Sequence, residues 1–225
     1  MKKFTLISAL FMALSPLLLN AQINQTPIHT GGGQIMASEE KAMAATGSMY
    51  LNEKYVPAKI SGNDRIIMVR YNAYSDYFEI VNDEGRPQAL PRKAGVNVTL
   101  NTTGDVYALQ SYRTEDGENA NGYLNVISDN AKVKIYKRDK IYLQPGKVSQ
   151  NSYGTSKAPV YKKADDEFYV QVNNGDIIFV SGKKDIANLV PGKSKEVLDF
   201  IKKNKIDVEK ETDLQQLSAY METIL

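Results

Sequence analysis

Arg65-Ile66-Ile67-Met68-Val69-Arg70-Tyr71, Tyr77-Phe78-Glu79-Ile80-Val81, Val96-Asn97-Val98-Thr99-Leu100, Val106-Tyr107-Ala108-Leu109, Tyr123-Leu124-Asn125-Val126-Ile127 and the run 131–143 are six short apolar stretches separated by turn signals. β-Branched and aromatic residues dominate them, and Asn, Asp, Gly and Ser fill many of the gaps. This is the spacing of an antiparallel meander. In 96–101, Val96, Val98 and Leu100 alternate with Asn97, Thr99 and Asn101, so that strand has one dry face. The stretch 65–71 is apolar on both parities at its centre, which predicts a strand with both faces covered. In 131–143, Val133, Ile135, Ile141 and Leu143 share a parity with Lys137 and Asp139. A bend or bulge near 137–139 is therefore expected.

Working outward, Pro57 demotes 55–60 to an edge strand or an irregular lead-in. Residues 158–162 offer a further strand. Residues 168–172 and 177–180 form a hairpin closed by Asn173-Asn174-Gly175-Asp176. The hydrophobic period then changes from 2 to 3.6. Ser194 suits the N-cap of a helix over 194–204, with Val197, Leu198 and Ile201 on one face and lysines near its end. Thr212 and Gln215 make a capping box for a last helix bearing Leu214, Leu217, Tyr220, Met221 and Ile224. The fold class predicted is α+β: mainly an antiparallel β meander of about 8–10 strands with two short C-terminal amphipathic helices.

The first residues read as a targeting segment. Lys2 and Lys3 precede a nearly uncharged apolar run, 4–19, that contains Pro16, and Leu19-Asn20-Ala21 ends in a small residue. The pattern predicts a signal peptide, 1–21, cleaved between Ala21 and Gln22. Residues 22–47, with Gly31-Gly32-Gly33, predict a flexible leader. A two-turn helix from Ser38 is the competing reading there, too short to stand alone. Residues 48–225 are then one β-rich domain whose helical pair spans 193–225. No apolar span after the leader reaches membrane-crossing length.

Composition excludes several chemistries. The 225 residues contain 28 Lys+Arg and 26 Asp+Glu. Loss of Lys2 and Lys3 with the signal leaves 28 − 2 = 26 against 26, so the whole chain has no net pull toward nucleic acid or an anionic surface. There is no cysteine, hence no disulfide, thiol nucleophile, thiolate metal site or lipoprotein anchor. His29, the only histidine, lies in the leader, which argues against a His-based triad or a His metal site in the folded part.

Two surface features remain as candidates. Arg70, Tyr71, Tyr74 and Tyr77 cluster about one turn, and amphipathic rings beside an arginine suit a binding rim for an anionic group. The plainer reading is sheet tyrosines packing their rings and wetting their hydroxyls. Lys132, Lys134, Arg138 and Lys140 share one parity of their strand. Such a basic face suits an acidic envelope polymer, or protects an edge strand from association. Asp165-Asp166-Glu167 lacks the spacing of a calcium loop. Asp76, Glu79, Asp83 and Glu84 offer carboxylates for sugar hydrolysis, but no tryptophan provides a sugar platform.

The runs Gly47-Ser48-Met49-Tyr50-Leu51 and Arg70-Tyr71-Asn72-Ala73-Tyr74-Ser75-Asp76-Tyr77-Phe78-Glu79, the tail 193–225 and the leader's Asn20-Ala21-Gln22 resemble an uncharacterised family of small exported proteins of Bacteroidetes-type bacteria. The resemblance covers most of the chain after the signal and implies a location, not an activity. Some proteins of that group carry a C-terminal Gly-rich β-sandwich as a secretion signal, whereas 212–225 here reads as a helix. A non-enzymatic periplasmic binding or accessory component of the cell envelope is the function expected, with an envelope protein or glycan as partner and with no cofactor, metal or nucleic acid. A carrier of an apolar ligand inside a curved sheet is the alternative, and a glycan-acting enzyme the third.

Overall fold

A computed structural model of the chain describes residues 43–149 and 155–225. The expected signal peptide and its expected cleavage point Ala21–Gln22, His29 and most of the expected leader lie outside those residues. Twelve strands and three short helices follow one another: β1 Val56–Ile60, β2 Ile66–Asn72, β3 Tyr77–Val81, β4 Pro87–Ala89, β5 Asn97–Leu100, β6 Val106–Arg113, β7 Asn119–Asp129, β8 Val133–Arg138, β9 Ile141–Gln144, β10 Val160–Lys163, β11 Glu167–Val172, β12 Ile178–Val180, α1 Lys183–Asn188, α2 Ser194–Asn204 and α3 Glu211–Ile224. The architecture is the α+β one expected, mostly β, with the meander interrupted. Ten strands form one sheet in the order β12-β11-β8-β7-β6-β5-β1-β2-β3-β4, and β9 pairs with β10 apart from it.

The sheet closes on itself at one end. β12 pairs with β11 and also meets β6 in parallel at Ile178 and Arg113. The Arg113 N–H donates to the Ile177 carbonyl at 2.8 Å. β6, β7, β8, β11 and β12 thus make a five-stranded ring. Tyr112, Leu124, Tyr136, Tyr169 and Ile177 fill it. On the outside of the same strands, Val133, Ile135, Phe168, Val170 and Val180 pack under the helices through Ile186, Val197, Ile201, Leu214, Leu217 and Met221. The opposite parity of β6 and β7 faces a third cluster, where Tyr107 and Tyr123 meet Tyr71 and Phe78 with ring centroids 5.1–6.3 Å apart. β6 and β7 are therefore buried on both faces.

Several expectations are corrected. Pro57 does not mark an edge: β1 lies between β2 and β5. The proline stands opposite Asn101, just before the β1–β5 ladder begins, and still accepts that residue's N–H at 2.9 Å, so only one ladder donor is lost. The outer face of β2 is covered only toward its end, where Tyr50 and Tyr55 lie over Arg70. Val69 and Tyr71 point inward, whereas Ile66 and Met68 are 61% and 42% exposed. The run 131–143 is not one strand. It breaks at Asp139–Lys140, and β9 leaves to pair with β10; the register shift lies instead in β7, between Val126 and Ser128. The leader's expected end at residue 47 lies too far along the chain, since Thr46 bridges Val160 and exchanges hydrogen bonds with Pro159 and Tyr161. Gly47 is required there: its φ is +79°, and a Cβ would sit 2.7 Å from the Tyr161 carbonyl oxygen.

The helices also differ in their caps. Neither Ser194 nor Thr212 caps a helix; Lys193 and Lys210 hold those positions without a side-chain bond. The expected capping groups have tertiary partners instead. Ser194 Oγ donates to the Ala187 carbonyl at 3.0 Å, and Gln215 Nε2 donates to the Ile127 carbonyl at 3.0 Å. α1, which the sequence reading passes over, covers the ring through Ile186 and Ala187.

One buried acid ties the third cluster to β9. Asp139 is 3% exposed and accepts the Tyr107 hydroxyl at 2.7 Å, with Lys137 and Lys163 ammoniums at 3.7 and 3.8 Å. Burial first, and then the Asp139 charge, push the Tyr107 hydroxyl far above its ordinary pKa, so it stays a donor. Tyr107→Phe leaves that carboxylate short of a partner and is expected to cost about 2–3 kcal/mol in chemical denaturation. Tyr74→Phe, whose ring is exposed, is expected to stay within about 0.5 kcal/mol.

Candidate functional site

The hairpin of β2 and β3 turns through Ala73 to Asp76, and its register sets Arg70 opposite Glu79 and Tyr71 opposite Phe78. The four tyrosine-turn candidates separate. Tyr71 is buried and donates its hydroxyl to Asp76 Oδ1 at 2.7 Å. Tyr74 is exposed and meets Tyr161 edge-on at 5.2 Å. Tyr77 pairs across the hairpin with Asn72. Arg70 and Tyr77 share the face opposite Tyr71, so the four do not form a common rim.

Arg70 is committed to Glu79. Its Nε donates to Glu79 Oε1 at 2.8 Å and its second nitrogen lies 2.7 Å from the same oxygen. Tyr50 and Tyr55 complete the group. Tyr50 donates to Glu79 Oε2 at 3.0 Å and Tyr55 to Oε1. The guanidinium stands 3.7 Å from the centre of one ring and 4.6 Å from the other. Burial opposes the charge on Glu79, but the hydrogen bonds from Tyr55, Arg70 and Tyr50 outweigh it and hold the carboxyl below its usual range. The segment before β1 is thereby clamped onto the outer face of the sheet. Tyr50 and Tyr55 are absent from the sequence candidates because their stretch has no periodicity. The Arg70–Glu79 pair had a readable signal: the two residues stand equally far from the centre of a tight turn.

The other carboxylates of this region are also engaged. Asp76 accepts from Tyr71, from Arg92 at 3.2 Å and from the Tyr123 N–H at 3.1 Å. Arg92 further donates to the Asn121 carbonyl at 2.8 Å, which ties the β3–β4 end to β7. Asp83 pairs with Arg65 at 3.0 Å and Glu84 with Arg86.

The basic face is not an exposed stripe, nor is β8 an edge, since β7 and β11 flank it. Lys134 pairs with Asp129 at 2.8 Å. Arg138 and Lys140 share Glu167 at 3.1 and 3.3 Å, and Glu167 also accepts from the Tyr169 hydroxyl at 2.8 Å. Burial opposes the Glu167 charge as well, and the Tyr169 hydrogen bond with the two cations overcomes it and lowers its pKa. Lys132 is exposed, while its N–H donates to Glu222 Oε2 at 2.8 Å. Asp166 of the acidic triplet pairs with Lys163 at 2.9 Å. Among the described residues no group of three His, Cys, Asp or Glu side chains is placed to hold a metal ion.

One open groove exposes aliphatic side chains among polar ones. Ile66 and Met68 project from β2 into a groove of about 410 Å³ that Val81, Asp83 and Gln88 also line. β4, beside it, is the free end of the sheet order. Comparison with family models, with curated proteins and with solved structures returned no match to this chain.

Glu79→Gln removes the charge that Arg70 and the two hydroxyls face. It is expected to cost about 2–3 kcal/mol at neutral pH. Because the folded pKa of Glu79 is depressed, its contribution is complete above the unfolded value of about 4.3 and is lost as pH falls through the lower folded value. The gap between wild type and variant in denaturation midpoints should therefore close in acid.

Proposed function

We propose that this protein is a non-enzymatic component of the cell envelope, exported to the periplasm, that works by binding another envelope protein. The observation that carries the reading is the outward apolar strip of Ile66 and Met68 on a rigid sheet, in a groove next to the free strand β4. Large aliphatic side chains exposed together beside polar rims mark protein-binding surfaces more often than solvent-facing sheet. A second support is chemical. Glu79, Asp76, Asp139 and Glu167, the most buried carboxylates in conspicuous positions, each carry two or more structural partners. Their roles are architectural, which suits a scaffold.

Export rests on the signal-peptide pattern, with its Lys2-Lys3 start, apolar 4–19 run and Ala21. Among the described residues no helix is long and apolar enough to cross a membrane. A carrier of an apolar ligand gains no comparable support. The ring that a ligand would enter holds Tyr112, Leu124, Tyr136, Tyr169 and Ile177, which would have to move out of it.

Capture from envelope extracts tests the reading. Immobilised wild-type protein is expected to retain a stoichiometric protein partner, and Ile66→Asp with Met68→Asp is expected to lose it while the melting temperature stays within about 2 °C. Equal retention by the variant would contradict the assigned surface. Turnover in a hydrolase screen that vanishes on one point substitution would contradict the non-enzymatic role.

A further inference from the structure

The two-stranded ribbon of β9 and β10 stands apart from the ten-stranded sheet, and its charge is one-sided. Lys140, Lys147, Lys157, Lys162 and Lys163 fall within 140–163, and that stretch contains no Asp or Glu. Lys140 and Lys163 reach carboxylates elsewhere, on Glu167, Asp166 and Asp139. Lys147, Lys157 and Lys162 are exposed, and none of the ion pairs among the described residues involves them.

Two of these lysines are set against each other. The Lys147 N–H donates to the Lys157 carbonyl at 2.9 Å, and the Lys157 N–H to the Lys147 carbonyl at 2.7 Å. Residues so paired point their side chains to one face, where like charges repel. The backbone enforces this approach. A Cβ on Gly146 would come within 2.5 Å of the Lys157 carbonyl oxygen, so only glycine lets the strands close here. A pair of like charges held by a required glycine, with no carboxylate in ion-pair contact among the described residues, is an arrangement that an external anion relieves.

The neighbouring residues say what carries the anion. Tyr142, across the ladder from Lys162, is 43% exposed. A soluble phosphate needs the ammoniums alone. A lipid surface also rewards an amphipathic ring beside lysines whose stems lie along the interface. We propose that the β9–β10 ribbon docks the protein on an anionic lipid surface, with Lys147 and Lys157 sharing a headgroup phosphate and Tyr142, beside Lys162, entering the interface. The chain as a whole is close to neutral, so the attraction is local to the ribbon. The inference uses a different surface from the β2 groove and stands or falls separately from it.

Flotation tests it, with protein purified from the cells that produce it. Vesicles of phosphatidylcholine with about 30% phosphatidylglycerol are compared with phosphatidylcholine alone. Binding is expected on the anionic vesicles only, weakening as salt rises. Each lysine is expected to contribute about fivefold, so Lys147→Ala with Lys157→Ala should lose about 25-fold. Tyr142→Asp should also weaken binding, and Lys195→Ala, on α2, should leave it unchanged. Lys157→Glu should abolish binding yet raise the melting temperature by about 1–3 °C, because it replaces repulsion by attraction. Absent binding, equal binding to both vesicle types, or insensitivity to the lysine pair would overturn the proposal. So would a lower melting temperature in Lys157→Glu, or displacement by inorganic phosphate beyond that by chloride at equal ionic strength.

Discussion

β6 and β7 bury both of their faces, and the rest of the fold follows from that constraint. Tyr112 and Leu124 look into the ring, while Tyr107 and Tyr123 look at Tyr71 and Phe78. A strand pair with two dry faces needs two covers. On one side β8, β11 and β12 curl round to meet β6. On the other, β5, β1, β2 and β3 extend the sheet and bring Phe78 and Tyr71 over the tyrosines. The helices then cover the outside of the ring strands, where Val133, Ile135 and Val170 would otherwise meet water.

Tyrosine suits this design because it packs like phenylalanine and still carries a hydroxyl to the rim of the core. Tyr107 reaches Asp139, Tyr71 reaches Asp76, Tyr169 reaches Glu167, and Tyr50 with Tyr55 reaches Glu79. The Tyr107 and Tyr50/Tyr55 bonds join separate elements, whereas Tyr169 lies on the same strand as Glu167, which reaches β8 through Arg138 instead. The tyrosines of the described part of the chain are thus mainly cohesive. The two surfaces proposed for recognition, the Ile66–Met68 groove and the lysine ribbon, are ones this bonding does not consume.

Local pattern made much of this legible. β3 matches its expected span residue for residue, and the β11–β12 hairpin follows from Asn173 and Asn174, both at positive φ. What the pattern missed depends on distant residues. The break after Arg138 is decided by β10, which offers β9 a partner some twenty residues later. The cover over Arg70 comes from Tyr50 and Tyr55, which no short-range rule links to it. The cap positions shifted because Ser194 and Gln215 found carbonyls on other elements. The basic parity of β8 looked free for the same reason: Glu167, which neutralises Arg138 and Lys140, lies on another strand.

Native-state hydrogen exchange resolved by residue tests the shared-strand account most directly. The amides of Tyr107 to Tyr112 in β6 and of Tyr123 and Leu124 in β7 should exchange slowest, at the free energy of global unfolding, since opening either cover alone leaves the pair half buried. Slower exchange in β2–β3 or in α2–α3 than in β6–β7, or separate unfolding of the two sides with the central pair already open, would contradict it.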